Sequence, residues 1–248
     1  MRFTITLSGS NSHIILPVHH NALIQSAIYH NLSPQLSNFL HNSGFIIDNR
    51  QFKLFAFSRI LGKYKILRHE QKIQFENAIR LIITSPVHEF VHDITQILLK
   101  DGFRIGNQLL KVESLDIDIP MVDQDELLIQ TLSPVVAYST MNRPDGRRYT
   151  AYFEPREEDF KTIVIQNLLR KGKILYGEDY PFTETTFKPI GQHKQNVIKY
   201  IKKCHETIIK GYSGRFILKG DRKILQTAID VGLGSKNSMG CGLVEIIK

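Results

Sequence analysis

Cysteine is almost absent from this chain: Cys204 and Cys241 are the two among 248 residues. Two thiols cannot build a disulfide framework or a cysteine-rich metal site, and they suit a reducing cytoplasm. Long apolar runs are missing as well; no stretch of about 18 such residues occurs, so no membrane-spanning helix is expected. The opening Met1-Arg-Phe-Thr-Ile-Thr-Leu7 alternates as a strand does and lacks the apolar core of a secretion signal, which again predicts a cytoplasmic protein with no membrane contact. Carboxylates are scarce in one region only. Residues 1–160 carry 16 Lys and Arg against 17 Asp and Glu, a net of −1, whereas residues 161–248 carry 16 against 7, a net of +9. The formal charge of +8 therefore belongs to the last part of the chain. Such concentration predicts a polyanionic partner, nucleic acid first; a solvated basic surface is the plainer reading.

What is present in quantity is glycine near the C-terminus. Gly232-Leu-Gly-Ser-Lys-Asn-Ser-Met-Gly-Cys-Gly242 brings Gly232, Gly234, Gly240 and Gly242 together with Ser235, Lys236, Asn237 and Ser238. Such a run permits positive φ and close backbone approach, as a phosphate-binding loop needs. It is neither of the two commonest phosphate loops. A P-loop ends in Gly-Lys-Ser/Thr and opens a helix, but Cys241 follows Gly240 here and Leu-Val-Glu-Ile-Ile reads as a final strand. A dinucleotide fingerprint needs a third glycine that is missing. Phosphate contact through Lys236 and the loop amides is one reading, and a glycine-rich hairpin without a ligand is the other.

Hydrophobic periodicity divides the chain into two similar halves. In the first, Arg2–Leu7 reads as a strand. His19–Asn31 is a helix with Leu23, Ile24, Ala27 and Ile28 on its apolar face. Ser33-Pro34 caps a short helix with Leu36, Phe39 and Leu40 inward and Gly44 as its stop. Phe52–Arg59 alternates as a strand, and a strand pair lies within Lys65–Thr84. Pro86 begins a helix to Asp101 on Val87, Phe90, Val91, Ile94, Ile97 and Leu98, and Gly102–Ile119 returns as strand. The acidic link Asp123-Gln-Asp125-Glu126 separates the halves. In the second, Leu127–Tyr138 is a strand bent at Pro134, Arg148–Phe153 another, and Glu154-Pro155 begins a helix across Phe160–Arg170. Strands lie within Thr185–Pro189 and Asn196–Lys219, and Asp221 caps a helix over Arg222–Val231. Two βαββαβ units predict an α+β chain of tandem ferredoxin-like domains, residues 1–120 and 127–248, each with an antiparallel sheet.

His88-Glu-Phe-Val-His92 matches the His-Glu-x-x-His zinc motif. On a helix it sets two imidazoles on one face beside Glu89. Thr95 and Leu98 stand where the longer zinc-protease pattern has glycine and a third histidine, and Glu113, the alternative ligand, falls in an expected strand. The apolar face of the same helix leaves His88 and His92 as surface residues, so zinc hydrolysis is the remote reading.

RNA carries its own nucleophile, the 2′-OH, and can be cut by a base, an acid and a cation set around one phosphate. Tyr29 falls on a small polar helix face beside Ala22, Gln25 and Ser26. His41 lies at the end of the second helix, where the dipole favours a cation, and Lys53 projects from the polar side of the Phe52–Ser58 strand. His19, His20 and His30 compete with His41 on spacing, and a boundary tyrosine, a capping histidine and a surface lysine describe the same residues without chemistry.

The chain resembles the CRISPR-associated endoribonucleases of the RAMP superfamily, which cut precursor CRISPR RNA within each repeat. The resemblance is carried by the N-terminal strand, Ala27-Ile-Tyr29, Phe39-Leu-His41, Lys53-Leu-Phe-Ala-Phe-Ser58, Gly102-Phe-Arg-Ile-Gly106, Leu132-Ser-Pro134 and the terminal glycine loop, and it spans nearly the whole length. It implies two ferredoxin-like domains and RNA along a basic surface. The implied reaction is cofactor-free and metal-independent: a transesterification leaving a 2′,3′-cyclic phosphate and a 5′-hydroxyl. By position, Tyr29 matches the family's base or orienter of the 2′-OH, His41 its acid and Lys53 its phosphate-stabilising cation. The glycine loop is the element implied to hold RNA. The link between His41 and Lys53, through Gly44–Gln51, is longer than in triad-bearing members. Implied partners are the precursor repeat, the mature guide RNA, a CRISPR effector complex and a second copy of the chain. Some members bind without cutting, so a non-catalytic RNA-binding subunit is the alternative.

Overall fold

Alternating apolar and polar residues begin the fold as they begin the sequence. A computed structural model describes residues 1–9, 13–202 and 205–247. Cys204 and the side chain of Ile97 lie outside the described residues. In β1 (Arg2–Ser8), Phe3, Ile5 and Leu7 are fully buried and Thr4 and Thr6 half-buried. β2 (His13–Pro17) leads to α1 (Asn21–His30), α2 (Pro34–Asn38) and one π-helical turn, Phe39–Ser43. A hairpin of β3 (Phe45–Ile47) and β4 (Arg50–Phe52) turns through Asp48 and Asn49, whose φ values of 48° and 57° are the left-handed pair a two-residue hairpin turn requires. The first half continues through β5 (Ala56–Phe57), β6 (Tyr64–Leu67), β7 (Lys72–Glu76), β8 (Ile79–Thr84), α3 (His88–Asp101), β9 (Phe103–Ile105) and β10 (Gln108–Asp118).

Its main sheet runs β5-β8-β1-β10-β9 with antiparallel neighbours. Apart from β9 this is the ferredoxin-like order, with the first and third strands central. Ile24 and Ile28 of α1 and Phe90, Ile94 and Leu98 of α3 close the core over Phe3, Ile5 and Leu7.

The second half comprises β11 (Glu126–Thr131), the hairpin β12 (Tyr138–Asn142) and β13 (Arg148–Tyr152), α4 (Glu158–Tyr176), β14 (Thr186–Lys202), β15 (His205–Lys219), α5 (Arg222–Val231), a 3-10 turn (Asn237–Met239) and β16 (Val244–Ile246). Its sheet, β14-β15-β11-β16, repeats the same order. The chain is therefore a pair of tandem ferredoxin-like units. α4 contributes Phe160, Val164 and Leu168 to the second core, and α5 contributes Ile224, Leu225, Ala228 and Ile229. Asp221 caps α5 by accepting from the Lys223 N–H (2.9 Å), as its position predicts. Among the described residues no helix is long and apolar enough to cross a membrane.

Several expected elements differ. The Phe52–Arg59 strand is broken: Leu54 takes a φ of 52°, and its carbonyl accepts from Ser85 Oγ (2.9 Å). Phe52, Leu54, Phe55, Ala56, Phe57 and Ser58 are all buried, because the segment lies between the two halves rather than on a half-exposed sheet. Ile47, Phe52 and Leu54 pack with Val231 of α5, and Ile174 and Leu175 of α4. Leu40 is buried as expected, but Phe39 is 39% exposed rather than inward, its ring edge-on to Phe45 (centroids 5.2 Å apart). Ser33 makes no side-chain cap; its N–H donates to Asp93 Oδ2 (2.7 Å). β11 stops at Thr131 because the N–H groups of Leu132 and Ser133 both turn to the Leu243 carbonyl. The strands expected within Thr185–Pro189 and Asn196–Lys219 are two long paired strands, because β14 runs on from Thr186 to Lys202; their outer part leans on α1 through Tyr200 Oη and Gln25.

Candidate active site

Asn21, Gln25 and Tyr29 recur every four residues on α1 and so share one face. Asn21 Nδ2 donates to the Met239 carbonyl (2.9 Å) and Gln25 Nε2 to that of Ser238 (2.6 Å), which locks this face to the glycine loop. One turn further on, Tyr29 packs edge-on against Phe55 (centroids 5.8 Å apart) and His41 (6.2 Å). Burial, with Tyr200 adding to it, pushes the Tyr29 phenol up to about 12. It is therefore a neutral hydroxyl at physiological pH, able to donate and orient but scarcely present as a phenolate base.

His41 sits in the π-turn, where the Gly44 N–H donates to the Phe39 carbonyl five residues back (2.7 Å). Such turns are sparse in proteins and frequent at functional sites. Gln51 of β4 holds the turn by donating to the carbonyls of Asn42 (2.7 Å) and Ser43. His41 Nδ1 donates to Asn42 Oδ1 (2.9 Å), which orients the ring. Lys53 Nζ donates to the His41 carbonyl (3.0 Å), and burial lowers its ammonium. The structure thus gathers Tyr29, His41 and Lys53 from α1, the π-turn and the segment after β4. The long link between His41 and Lys53 forms the β3–β4 hairpin, whose Asp48 pairs with Arg170 of α4 (2.9 Å).

The competing histidines have other neighbours. His19 Nδ1 accepts from the Lys199 N–H (3.4 Å), His20 Nδ1 donates to the Pro17 carbonyl (2.9 Å), and His30 Nδ1 to that of Ser26 (2.7 Å). Burial lowers both His19 and His20. The ring against Tyr29 is that of His41.

The glycine run is packed inside the protein. A side chain at Gly240 (φ 80°) would meet Phe57 Cε2 and Asn21 Nδ2, each 2.5 Å from the added carbon. One at Gly242 would strike the Leu233 carbonyl, and Gly232 and Gly234 are buried too. The N–H groups of Leu233, Ser235, Met239, Gly240 and Gly242 donate to protein carbonyls, so these amides are already engaged. Asn237 Nδ2 ties the carbonyls of Leu233 (2.9 Å) and Cys241 (3.1 Å). Ser235, Lys236 and Ser238 are half-buried along the wall of a cavity, with Lys236 Nζ 4.8 Å from the Tyr138 ring centroid.

Two residues of α4 escaped the sequence reading. Lys171 is fully buried and donates to the carbonyls of Gly232 and Gly234 (both 2.9 Å) and to Asn237 Oδ1 (2.6 Å). Burial pulls its ammonium down to about 7. Asn167 is 6% exposed, and its Oδ1 lacks a hydrogen-bond partner. The legible signal was a polar residue at a core position of an amphipathic helix: Phe160, Val164, Asn167, Leu168 and Lys171 share one face.

The cavity, about 680 Å³, opens between the two halves beside the triad. Arg50 and Lys53 come from the first half, Arg170 and Lys236 from the second, and among the described residues that line it none is a carboxylate. The site is thus basic on both sides, although the sequence concentrates positive charge in the second half alone. A hydroxyl donor, a proton carrier and an ammonium beside a basic cleft are the groups that a phosphodiester rearrangement needs.

His88, Glu89 and His92 are exposed on α3, while Glu113 accepts from Ser8 Oγ (2.6 Å) and pairs with Lys111 (3.3 Å). Among the described residues no three His, Cys, Asp or Glu side chains group as a metal site would.

Comparison with known proteins agrees along the whole length. The family described as CRISPR-associated protein Cas6, N-terminal, matches residues 15–115, and that described as CRISPR associated protein Cas6, C-terminal, matches residues 117–246. CRISPR-associated endoribonuclease Cas6 1 of Methanocaldococcus jannaschii is 29% identical, over 98% of this chain and 92% of that protein. The structure of a Cas6-related gene product from Pyrococcus furiosus superposes with a TM-score of 0.84 at 22% identity, covering 100% of this chain and 98% of that one. A structure described as an RAMP protein binding different RNA substrates gives 0.82 at 22% identity, with both chains fully covered.

Proposed function

The chain belongs to the Cas6 family of CRISPR-associated proteins, and from that premise we propose that it is an endoribonuclease that cuts precursor CRISPR RNA within the repeat to release guide RNAs. The observation that carries the mechanism is the convergence of Tyr29, His41 and Lys53, each twelve residues from the next in sequence, on one point beside a basic cleft. In this reading residues 1–120 supply the chemistry and residues 127–248 most of the RNA-holding charge.

The 2′-OH attacks the adjacent phosphorus while the bond from phosphorus to O5′ breaks. Tyr29, protonated, orients the 2′-OH by hydrogen bonding, and the hydroxyl proton leaves to solvent. His41 delivers a proton from Nε2 to the departing O5′. Lys53 keeps one donor on the His41 carbonyl and turns the others to the phosphoryl oxygens, where charge accumulates. The products are a 2′,3′-cyclic phosphate and a 5′-hydroxyl, and no cofactor enters. The glycine loop works mainly from behind, aligning α1, while Lys236 meets the RNA.

Replacing His41 with Ala and incubating with labelled repeat RNA in EDTA tests the assignment. Cleavage slowed by at least about a hundredfold is expected for a lost general acid. Unchanged cleavage removes His41 from the reaction, and RNA binding without cleavage by the parent protein identifies a non-catalytic subunit.

A further inference from the structure

A histidine has two ring nitrogens, and as a general acid it works only through the one that faces the leaving oxygen. At His41 the group able to choose between them is Asn42, whose Oδ1 lies 2.9 Å from Nδ1. An amide oxygen can only accept, so this contact keeps a proton on Nδ1 in the neutral ring and in the imidazolium alike. Asn42 is itself held. Lys53 Nζ donates to the carbonyl before it, that of His41 (3.0 Å), and Gln51 Nε2 to its own carbonyl (2.7 Å) and to that of Ser43. The Gly44 N–H closes the π-turn on the Phe39 carbonyl (2.7 Å). All of these bonds run to backbone carbonyls, so the turn closes without the Asn42 side chain, whose amide oxygen goes to the ring instead. Tyr29, edge-on from α1, and Lys53, from the segment after β4, also meet His41.

We propose that Asn42 is a positioning residue for the cleavage reaction: it keeps one proton on His41 Nδ1, so that Nε2 is the nitrogen that carries the proton to the departing O5′. The proposal rests on the reading of His41 as the general acid of a repeat-RNA endonuclease, and it adds a residue outside Tyr29, His41 and Lys53. In the transfer the N–H bond at Nε2 breaks and an O–H bond forms at O5′, while Nδ1 keeps its proton on Asn42 Oδ1. The neutral ring left behind is therefore the Nδ1–H tautomer, the one an unconstrained histidine side chain disfavours. The same bond stops the ring from turning Nε2 away from the RNA, and small losses of alignment are costly at a reacting atom.

The test uses the full chain labelled with nitrogen-15 histidine, whose ring shifts report the tautomer by NMR; the His41 signals are those that His41→Ala removes. At alkaline pH, where the ring is neutral, the parent should show the Nδ1–H form. Asn42→Ala should revert to the Nε2–H form and slow single-turnover cleavage by about tenfold, with binding of a 2′-deoxy repeat RNA unchanged. Asn42→Asp keeps an acceptor in place and adds charge. It should retain the Nδ1–H form and move the alkaline limb of the cleavage rate, where the acid loses its proton, to higher pH by about one unit. A residue that only shapes the turn would leave both tautomer and limb where they are. An Nε2–H form in the parent, an unchanged tautomer and rate in Asn42→Ala, or a limb moved by less than about 0.3 unit in Asn42→Asp, the size of a screened charge not in contact, would overturn the proposal. If Asn42→Ala fails to fold, the parental tautomer and the Asn42→Asp limb decide. Metal-free cleavage by a parent with the Nε2–H form sinks the proposal and leaves the enzymatic reading standing; the Nδ1–H form with undiminished cleavage by His41→Ala sinks that reading instead.

Discussion

Lys171 offers the sharpest quantitative test of how the glycine loop is held. Its ammonium is enclosed and matched by three acceptors at 2.6–2.9 Å, the Gly232 and Gly234 carbonyls and Asn237 Oδ1. Lys171→Met keeps the approximate length and apolar stem but strips all three. A buried acceptor without its donor costs about 1–3 kcal/mol. Removing a buried charge returns part of that sum, so a net loss of ~3 kcal/mol is expected. At about 2–4 °C per kcal/mol for a chain of this size, the melting temperature should fall by roughly 10 °C. The loop also anchors Asn21 and Gln25, so α1 loses its register and Tyr29 drifts from His41. Cleavage measured well below the melting transition should therefore fall as well. Calorimetry and single-turnover cleavage on the same preparation give both numbers. A melting temperature within about 2 °C of the parent, with full activity, would refute the reasoning.

Other substitutions probe separate links. Gly240→Ala places a methyl against Phe57 and Asn21 at a φ of 80° and should cost ~2–4 kcal/mol, read as a shifted urea midpoint. Lys236→Ala should weaken RNA binding and flatten its dependence on log salt by about one unit of slope, since one phosphate contact is lost; an unaltered slope would leave Lys236 a structural partner of Tyr138. Because burial lifts the Tyr29 phenol from 10.0 to about 12, it stays protonated throughout pH 6–10, and its ionisation contributes no alkaline limb to the rate in that window. Tyr29→Phe should slow cleavage by about tenfold to a hundredfold without changing the shape of the profile. Loss of an alkaline limb below pH 10 in that variant would instead make Tyr29 the base.

The residues of the candidate site were more legible in the sequence than the elements that support them. Phe3, Ile5 and Leu7 announce β1 because one face of that strand is buried, and Asp221 announces α5 because a cap must accept a backbone N–H. Tyr29, His41 and Lys53 could be proposed from residue type and resemblance, but only the fold brings them within contact. The Phe52–Ser58 segment misled because alternation has meaning only when one face is wet; there both are covered, and Leu54 adopts a left-handed conformation that no propensity forecasts. The β3–β4 hairpin was hidden in a link of three-residue strands, too short for a periodic signal. The glycines were visible, but the atoms that require them, Phe57, Asn21 and the Leu233 carbonyl, are distant in sequence or across the loop. Asn167 and Lys171 were readable as polar residues on an apolar helix face, and their meaning lies in the loop and cavity they meet.

Cleavage of a repeat RNA carrying a single 2′-deoxy nucleotide at the cut, in EDTA, bears most directly on the central claim. The account predicts that the all-ribose RNA is cut without metal to a 2′,3′-cyclic phosphate and a 5′-hydroxyl, and that the 2′-deoxy RNA binds equally well and stays whole. Cutting of the 2′-deoxy RNA at the same bond, or loss of all-ribose cleavage in EDTA, would contradict it.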